Sequence, residues 1–211
     1  MEQPLLEQPF EASGVRGILH VPETPNGDAL ALTHGAGSNC TAPLLVALAR
    51  TFCELGMTVL RYDLPFRVLR PKGSPFPSGQ ARDREGVGAA ITEVRKLASR
   101  HVFAGGVSYG GRMTAMLASE RPKLANGLLL LSYPLHPPGK PEQLRTAFFP
   151  QWRTPALFVH GSRDPFGKIE ELRAAIAAIP ARTDIMEVPS AGHDLKQAMR
   201  LGGDILSRML F

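Results

Sequence analysis

Seven short apolar runs recur along this chain of 211 residues, separated by longer stretches in which apolar residues return every three or four positions. The runs are Val15–Val21, Ala29–Thr33, Thr58–Arg61, Val102–Ala104, Leu128–Ser132, Ala156–His160 and Asp184–Val188, several of them almost continuously apolar. A strand covered on both faces reads in that way, because neither side of it meets water. The intervening stretches predict helices at Thr41–Leu55 (stopped by Gly56), Gln80–Ser99, Tyr109–Ser119, Glu142–Phe148, Ile169–Ala178 and Leu195–Met209. Strand and helix in alternation predict an α/β fold, a mainly parallel sheet with helices on both faces. With no internal repeat and no low-complexity linker, one domain over residues 1–211 is expected.

Two segments break the rhythm. Asp63–Gly79 holds Pro65, Pro71, Pro75 and Pro77 and reads as a surface loop unable to sustain helix. Ser132–Trp152 holds Pro134, Pro137, Pro138, Pro141 and Pro150, leaving room for one short helix at most. Neither is long enough for a separate cap domain, so a shallow cleft suited to short acyl groups is expected.

Composition excludes several classes. Hydrophobic residues make up 44% and charged residues 20%, too apolar for a disordered chain. No uncharged apolar run approaches the roughly 18 residues of a membrane span. The first twenty residues carry Glu2, Glu7 and Glu11 and lack the basic-then-apolar pattern of a secretory leader, which predicts a cytoplasmic location. Cys40 and Cys53 fit neither a metal knuckle nor a redox pair and read as buried free thiols. The net charge of +5 raises nucleic acid as a partner, but the bases are interleaved with acids, as in Asp83-Arg84-Glu85. Neither nucleic acid nor a membrane surface is therefore expected, and oligomeric state stays open. One exception is Arg61–Arg84, where Arg61, Arg67, Arg70, Lys72, Arg82 and Arg84 outnumber Asp63 and Asp83 and form a candidate anion-attracting rim.

The chemistry concentrates in Gly106-Val107-Ser108-Tyr109-Gly110, which follows one apolar run and opens a helix. In a sharp strand-to-helix turn a serine is held in a strained conformation, and the residues two before and two after it must be small. A chain with 21 glycines produces such a pentapeptide by accident often enough that its position, after a strand and before a helix, carries the weight. A serine hydroxyl needs a base, and the base an orienting acid. Asp164 in Gly161-Ser162-Arg163-Asp164-Pro165 and His193 in Ala191-Gly192-His193-Asp194 each follow a late strand, in the order Ser, Asp, His that this architecture uses. Two backbone N–H groups should hold the oxyanion: that of Tyr109, after the nucleophile, and one from His34-Gly35-Ala36-Gly37, with Ala36 first and Gly37 second. Gly35-Ala36-Gly37 as a dinucleotide turn lacks its third glycine.

These residues resemble the α/β-hydrolase superfamily from about Val15 to the final helix. His34-Gly35-Ala36-Gly37, Arg61-Tyr62-Asp63-Leu64-Pro65-Phe66 and Ser108-Tyr109-Gly110-Gly111-Arg112-Met113 look like dienelactone-hydrolase-like proteins. They look even more like the hydrolase-like domain shared by testis-expressed proteins and a subunit of the non-specific-lethal chromatin complex. Dienelactone hydrolases proper use a cysteine nucleophile where this chain has Ser108. The expectation is a serine esterase with the triad Ser108, Asp164 and His193, acting on a small-molecule acyl substrate with no metal or organic cofactor. Phe66, Tyr133 and Phe166 are the candidate substrate-binding residues, with His136 and Trp152 as further candidates. The alternative is a catalytically silent hydrolase-fold interaction module.

Overall fold

A computed structural model of the protein describes residues 6–209; Glu2, part of the acidic N-terminal pattern, lies outside them. The strands are β1 (Leu6–Ala12), β2 (Val15–Val21), β3 (Ala29–Thr33), β4 (Thr58–Tyr62), β5 (Val102–Val107), β6 (Gly127–Leu131), β7 (Ala156–Gly161) and β8 (Thr183–Val188). They form one sheet in the order β1-β2-β4-β3-β5-β6-β7-β8. From β4 to β8 every neighbouring pair is parallel, while β1–β2 and β2–β4 are antiparallel. The helices are α1 (Pro43–Glu54), α2 (Pro65–Leu69), α3 (Gln80–Arg95), α4 (Tyr109–Glu120), α5 (Ile169–Ile176) and α6 (Gly202–Met209).

The apolar strands split their residues between two cores, as the two-residue period of a strand requires. Leu128 and Leu130 of β6 face a core with Met113 and Leu117 of α4, Val87 and Ile91 of α3 and Leu172 of α5. Leu129 and Leu131 face the opposite core with Leu45, Leu48 and Phe52 of α1 and Ile205 and Leu206 of α6. Among the described residues no helix is long and apolar enough to cross a membrane.

Four local expectations are corrected. β1 was not expected, because its residues are polar and mostly exposed; it is an edge strand in hairpin with β2, where Pro9 is tolerated. Asp63–Gly79 does contain a helix, α2, which begins on Pro65 at the first position, where the missing N–H costs nothing. The helix expected at Glu142–Phe148 is absent; only a 3₁₀ turn at Phe149–Gln151 forms in that proline-rich stretch. The last helix is divided into a 3₁₀ segment, Lys196–Arg200, and α6, and a side chain at Gly202 would press on Thr51.

Candidate active site

Ser108 joins β5 to α4 with φ +50° and ψ −113°, a conformation that costs a residue with a Cβ about 1–3 kcal/mol unless its surroundings impose it. The surroundings do so. The Ser108 N–H donates to the Leu131 carbonyl at 2.8 Å, and the Arg112 N–H donates to the Ser108 carbonyl at 2.9 Å. A Cβ at Gly106 would lie 2.9 Å from the backbone of Gly110 and Gly111, and one at Gly110 would strike the His34 carbonyl oxygen. Glycine at both positions lets strand, helix and the loop after β3 close to this distance.

Asp164 follows β7 and His193 follows β8, and the parallel order of the sheet brings both loops beside the β5–α4 turn. The His193 Nδ1–H donates to Asp164 Oδ2 at 2.7 Å and Oδ1 at 2.9 Å, and the Ser108 hydroxyl donates to His193 Nε2 at 2.8 Å. The Asp164 side chain is fully buried and also accepts the Phe166 N–H at 2.8 Å. The Phe166 ring stacks on the His193 imidazole, centroids 4.1 Å apart. Beneath them the buried His160 donates from Nε2 to the Gly167 carbonyl at 2.8 Å, and burial lowers its pKa. It stays neutral and adds no charge against His193.

The loop after β3 turns between Gly35 and Ser38, whose N–H donates to the Gly35 carbonyl at 3.1 Å. Ala36 and Tyr109 line the same cleft as Ser108. His34, wholly buried, donates from Nδ1 to the Gly35 carbonyl at 2.8 Å and accepts the Leu64 N–H on Nε2 at 3.1 Å. Burial holds its pKa below the usual imidazole value, which keeps the neutral form that both bonds require. Arg67, 7% exposed, fastens the loop from outside. Its guanidinium donates to the carbonyls of Ser38 (2.7 Å), Ala36 (3.0 Å), Gly73 (3.1 Å) and Arg70 (3.2 Å). On the other side, the Tyr109 hydroxyl donates to Asp83 Oδ2 at 2.7 Å, and Asp83 Oδ1 accepts the Phe66 N–H at 3.0 Å. Burial, then Asp83, push the Tyr109 phenol well above its ordinary pKa, so it remains a donor.

Of the three aromatics expected to bind substrate, Phe166 lines the cleft and Phe66 and Tyr133 do not. Phe66 is buried edge-on against Tyr109 and packed on His34, where it braces the loop after β3. Tyr133 is wholly buried between Phe149 and Phe158, its hydroxyl donating to the Arg145 carbonyl at 2.8 Å. Trp152 belongs to the same aromatic cluster, and His136 is buried beside Glu171. An aromatic residue after a strand joins the core when the next turn covers it, and residue type does not reveal that turn. The cleft measures about 850 Å³, larger than the expected shallow site and within the roughly 300–1,000 Å³ of small-molecule pockets. Leu44, Pro75, Pro77 and Met199 help to wall it. The proline-rich strap after α2 thus forms one side of the cleft.

Three of the six bases expected to form an anion-attracting rim over Arg61–Arg84 are already committed within the fold. Arg61 is buried against His20, the Cys40 carbonyl and Glu7; Arg67 is committed to backbone carbonyls; Arg84 pairs with Glu120 at 3.2 Å. Two arginines that the sequence reading passed over, Arg112 and Arg145, line the cleft instead. Arg112 was legible, lying one helical turn past Ser108, whereas nothing local marks Arg145. Among the described residues no group of three or more His, Cys, Asp or Glu side chains is placed to hold a metal ion.

Solved structures share this arrangement of elements. An alpha-beta serine hydrolase homologue from Coxiella burnetii aligns at TM-score 0.74 with 17% identity over 97% of each chain. A dienelactone hydrolase from Anabaena variabilis aligns at 0.73 with 21% identity over 96% of each. A serine hydrolase without lid from Xanthomonas campestris aligns at 0.74 with 15% identity over 98% of this chain and 94% of its own. At such identities the likeness is one of fold. The sequence itself matches the family profile described as alpha/beta hydrolase domain over residues 26–209, most of its length, and the chain belongs to that family.

Proposed function

We propose that the protein is a serine hydrolase that cleaves carboxylic esters or related small acyl compounds through an acyl-enzyme. The observation that carries this reading is the continuous line from the Ser108 hydroxyl through His193 to the buried Asp164, with spacings of 2.8 and 2.7 Å, opening on the cleft. Ser108 Oγ attacks the acyl carbon while its proton passes to His193 Nε2. Asp164 holds the Nδ1–H tautomer and stabilises the imidazolium. The negative oxygen of the tetrahedral intermediate takes the Ala36 and Tyr109 N–H groups, each such donor worth about 10²–10³ in rate. His193 then returns the proton to the departing alcohol, and water repeats the sequence to release the acid. No step calls for a metal or organic cofactor.

A fluorophosphonate probe tests this without knowledge of the substrate. Wild type should label at Ser108 and hydrolyse an activated aryl acetate, and Ser108→Ala should do neither while keeping its thermal transition. Because the triad acts as a unit, Ser108→Ala/His193→Ala should lose little beyond either single variant. Wild type that is folded but inert to the probe would support the silent interaction module instead.

A further inference from the structure

Arg61, Arg67 and Arg84 each meet an acid or a set of carbonyls; among the described residues two arginines in the cleft have neither. Arg112 stands in the first turn of α4, one turn from Ser108. Among the described residues its buried Nε has no hydrogen-bond partner and its guanidinium meets no carboxylate. Arg145 arrives from the loop between β6 and β7. Its backbone is tied down by its own N–H to the Leu135 carbonyl and by the Tyr133 hydroxyl, both at 2.8 Å. Among the described residues its side chain reaches only the Pro134 carbonyl, at 3.5 Å. Of the other charges on the cleft wall, Lys196 is paired with Asp194 at 3.0 Å.

Three unfavourable terms therefore converge beside the nucleophile. Arg112 puts a cation at the positive end of a helix. It has a buried donor without an acceptor. It also shares the cleft wall with a second cation, Arg145, whose pKa is lowered by burial and then by the Arg112 charge. One anion bound in the cleft against both guanidinium groups offsets the helix-end cation and the like charges, and a guanidinium fork matches the paired oxygens of a carboxylate or phosphate.

We propose that Arg112 and Arg145 form an anion subsite, so that the ester attacked by Ser108 belongs to a molecule carrying a second, ionised acidic group, carboxylate or phosphoryl. This specifies the substrate class of the hydrolase reading above and rests on it.

The test compares aryl esters of matched length: a monoaryl glutarate with a free carboxylate, its phosphonate counterpart, and the neutral aryl pentanoate. Wild type should favour an anionic ester by about tenfold or more in kcat/KM, mainly through KM, and the better of the two anions identifies the group. Arg145→Gln and Arg112→Gln should bring the anionic-to-neutral ratio close to one. Lys123→Gln, an exposed site with the same change in net charge, should keep the wild-type ratio. Equal turnover of neutral and anionic esters by wild type, or an unchanged ratio in Arg145→Gln, would overturn the subsite while leaving the hydrolase reading intact. Should no ester be turned over and no probe bind Ser108, the hydrolase reading fails, and glutarate or inorganic phosphate then scores the subsite alone. Stabilisation of wild type and not of Arg145→Gln against heat would uphold it, and no difference would end it.

Discussion

Arg67→Met removes the guanidinium that ties the loop after β3 to the strap after α2 and stands 5.0 Å over the Phe66 ring, while the unbranched methionine keeps the apolar stem. Four carbonyls lose a charged donor. Those of Arg70 and Gly73 lie on the more exposed strap, where water replaces the guanidinium, so the cost falls mainly on Ala36 and Ser38. Two charge-assisted hydrogen bonds at about 1.5 kcal/mol each give a loss of about 3 kcal/mol. In a domain of this size that lowers the thermal midpoint by about 6–12 °C. The consequence for rate differs in kind. The Ala36 carbonyl belongs to the peptide plane that follows the Ala36 N–H, and releasing it lets the turn rotate that proposed donor away from the oxyanion. Losing a whole donor costs about 10²–10³, and a loosened one should cost about 10–100-fold in kcat, with KM within about twofold because ground-state contacts persist. Aryl acetate hydrolysis together with thermal unfolding measures both. A variant that melts early yet keeps wild-type kcat would show that Arg67 only fastens the loop and has no part in placing the oxyanion donors.

Asp164→Asn should cut kcat by orders of magnitude, because an amide stabilises the wrong imidazole tautomer; turnover within about tenfold of wild type would remove Asp164 from the mechanism. Stability should fall on acidification. Burial, then Arg61, hold His20 down to about 4, below its unfolded value, so the unfolded chain takes up the proton first and stability is lost as pH drops from about 6.5 towards 4. His20→Gln should make that loss shallower in denaturant titrations, though buried His34 and His160 contribute in the same direction. Burial pushes both the Cys40 and Cys53 thiols up to about 11, so iodoacetamide at about pH 8 should modify neither until the protein is unfolded.

Much of the architecture was open to reading along the chain, because each central strand is a self-contained apolar run. Leu128–Leu131 reads as a strand and serves two cores, and Gly106 and Gly110 around Ser108, after a strand and before a helix, read as a tight turn. The order Ser108, Asp164, His193 was legible for the same reason: each follows such a run, and a parallel sheet delivers all three to one edge. β1 was not legible, since its stability comes from pairing with β2 and its side chains carry no apolar pattern. Tertiary structure decided what depends on direction. It turned Phe66 and Tyr133 into the core, committed Arg61 and Arg67 to backbone and buried partners, and left Arg112 and Arg145, 33 positions apart in the numbering, on one cleft with no carboxylate paired to either among the described residues. Local sequence determines which conformation a segment adopts, because propensity and periodicity act over a few residues. Which charges meet their partners is settled by segments distant along the chain, and there only the packed structure answers.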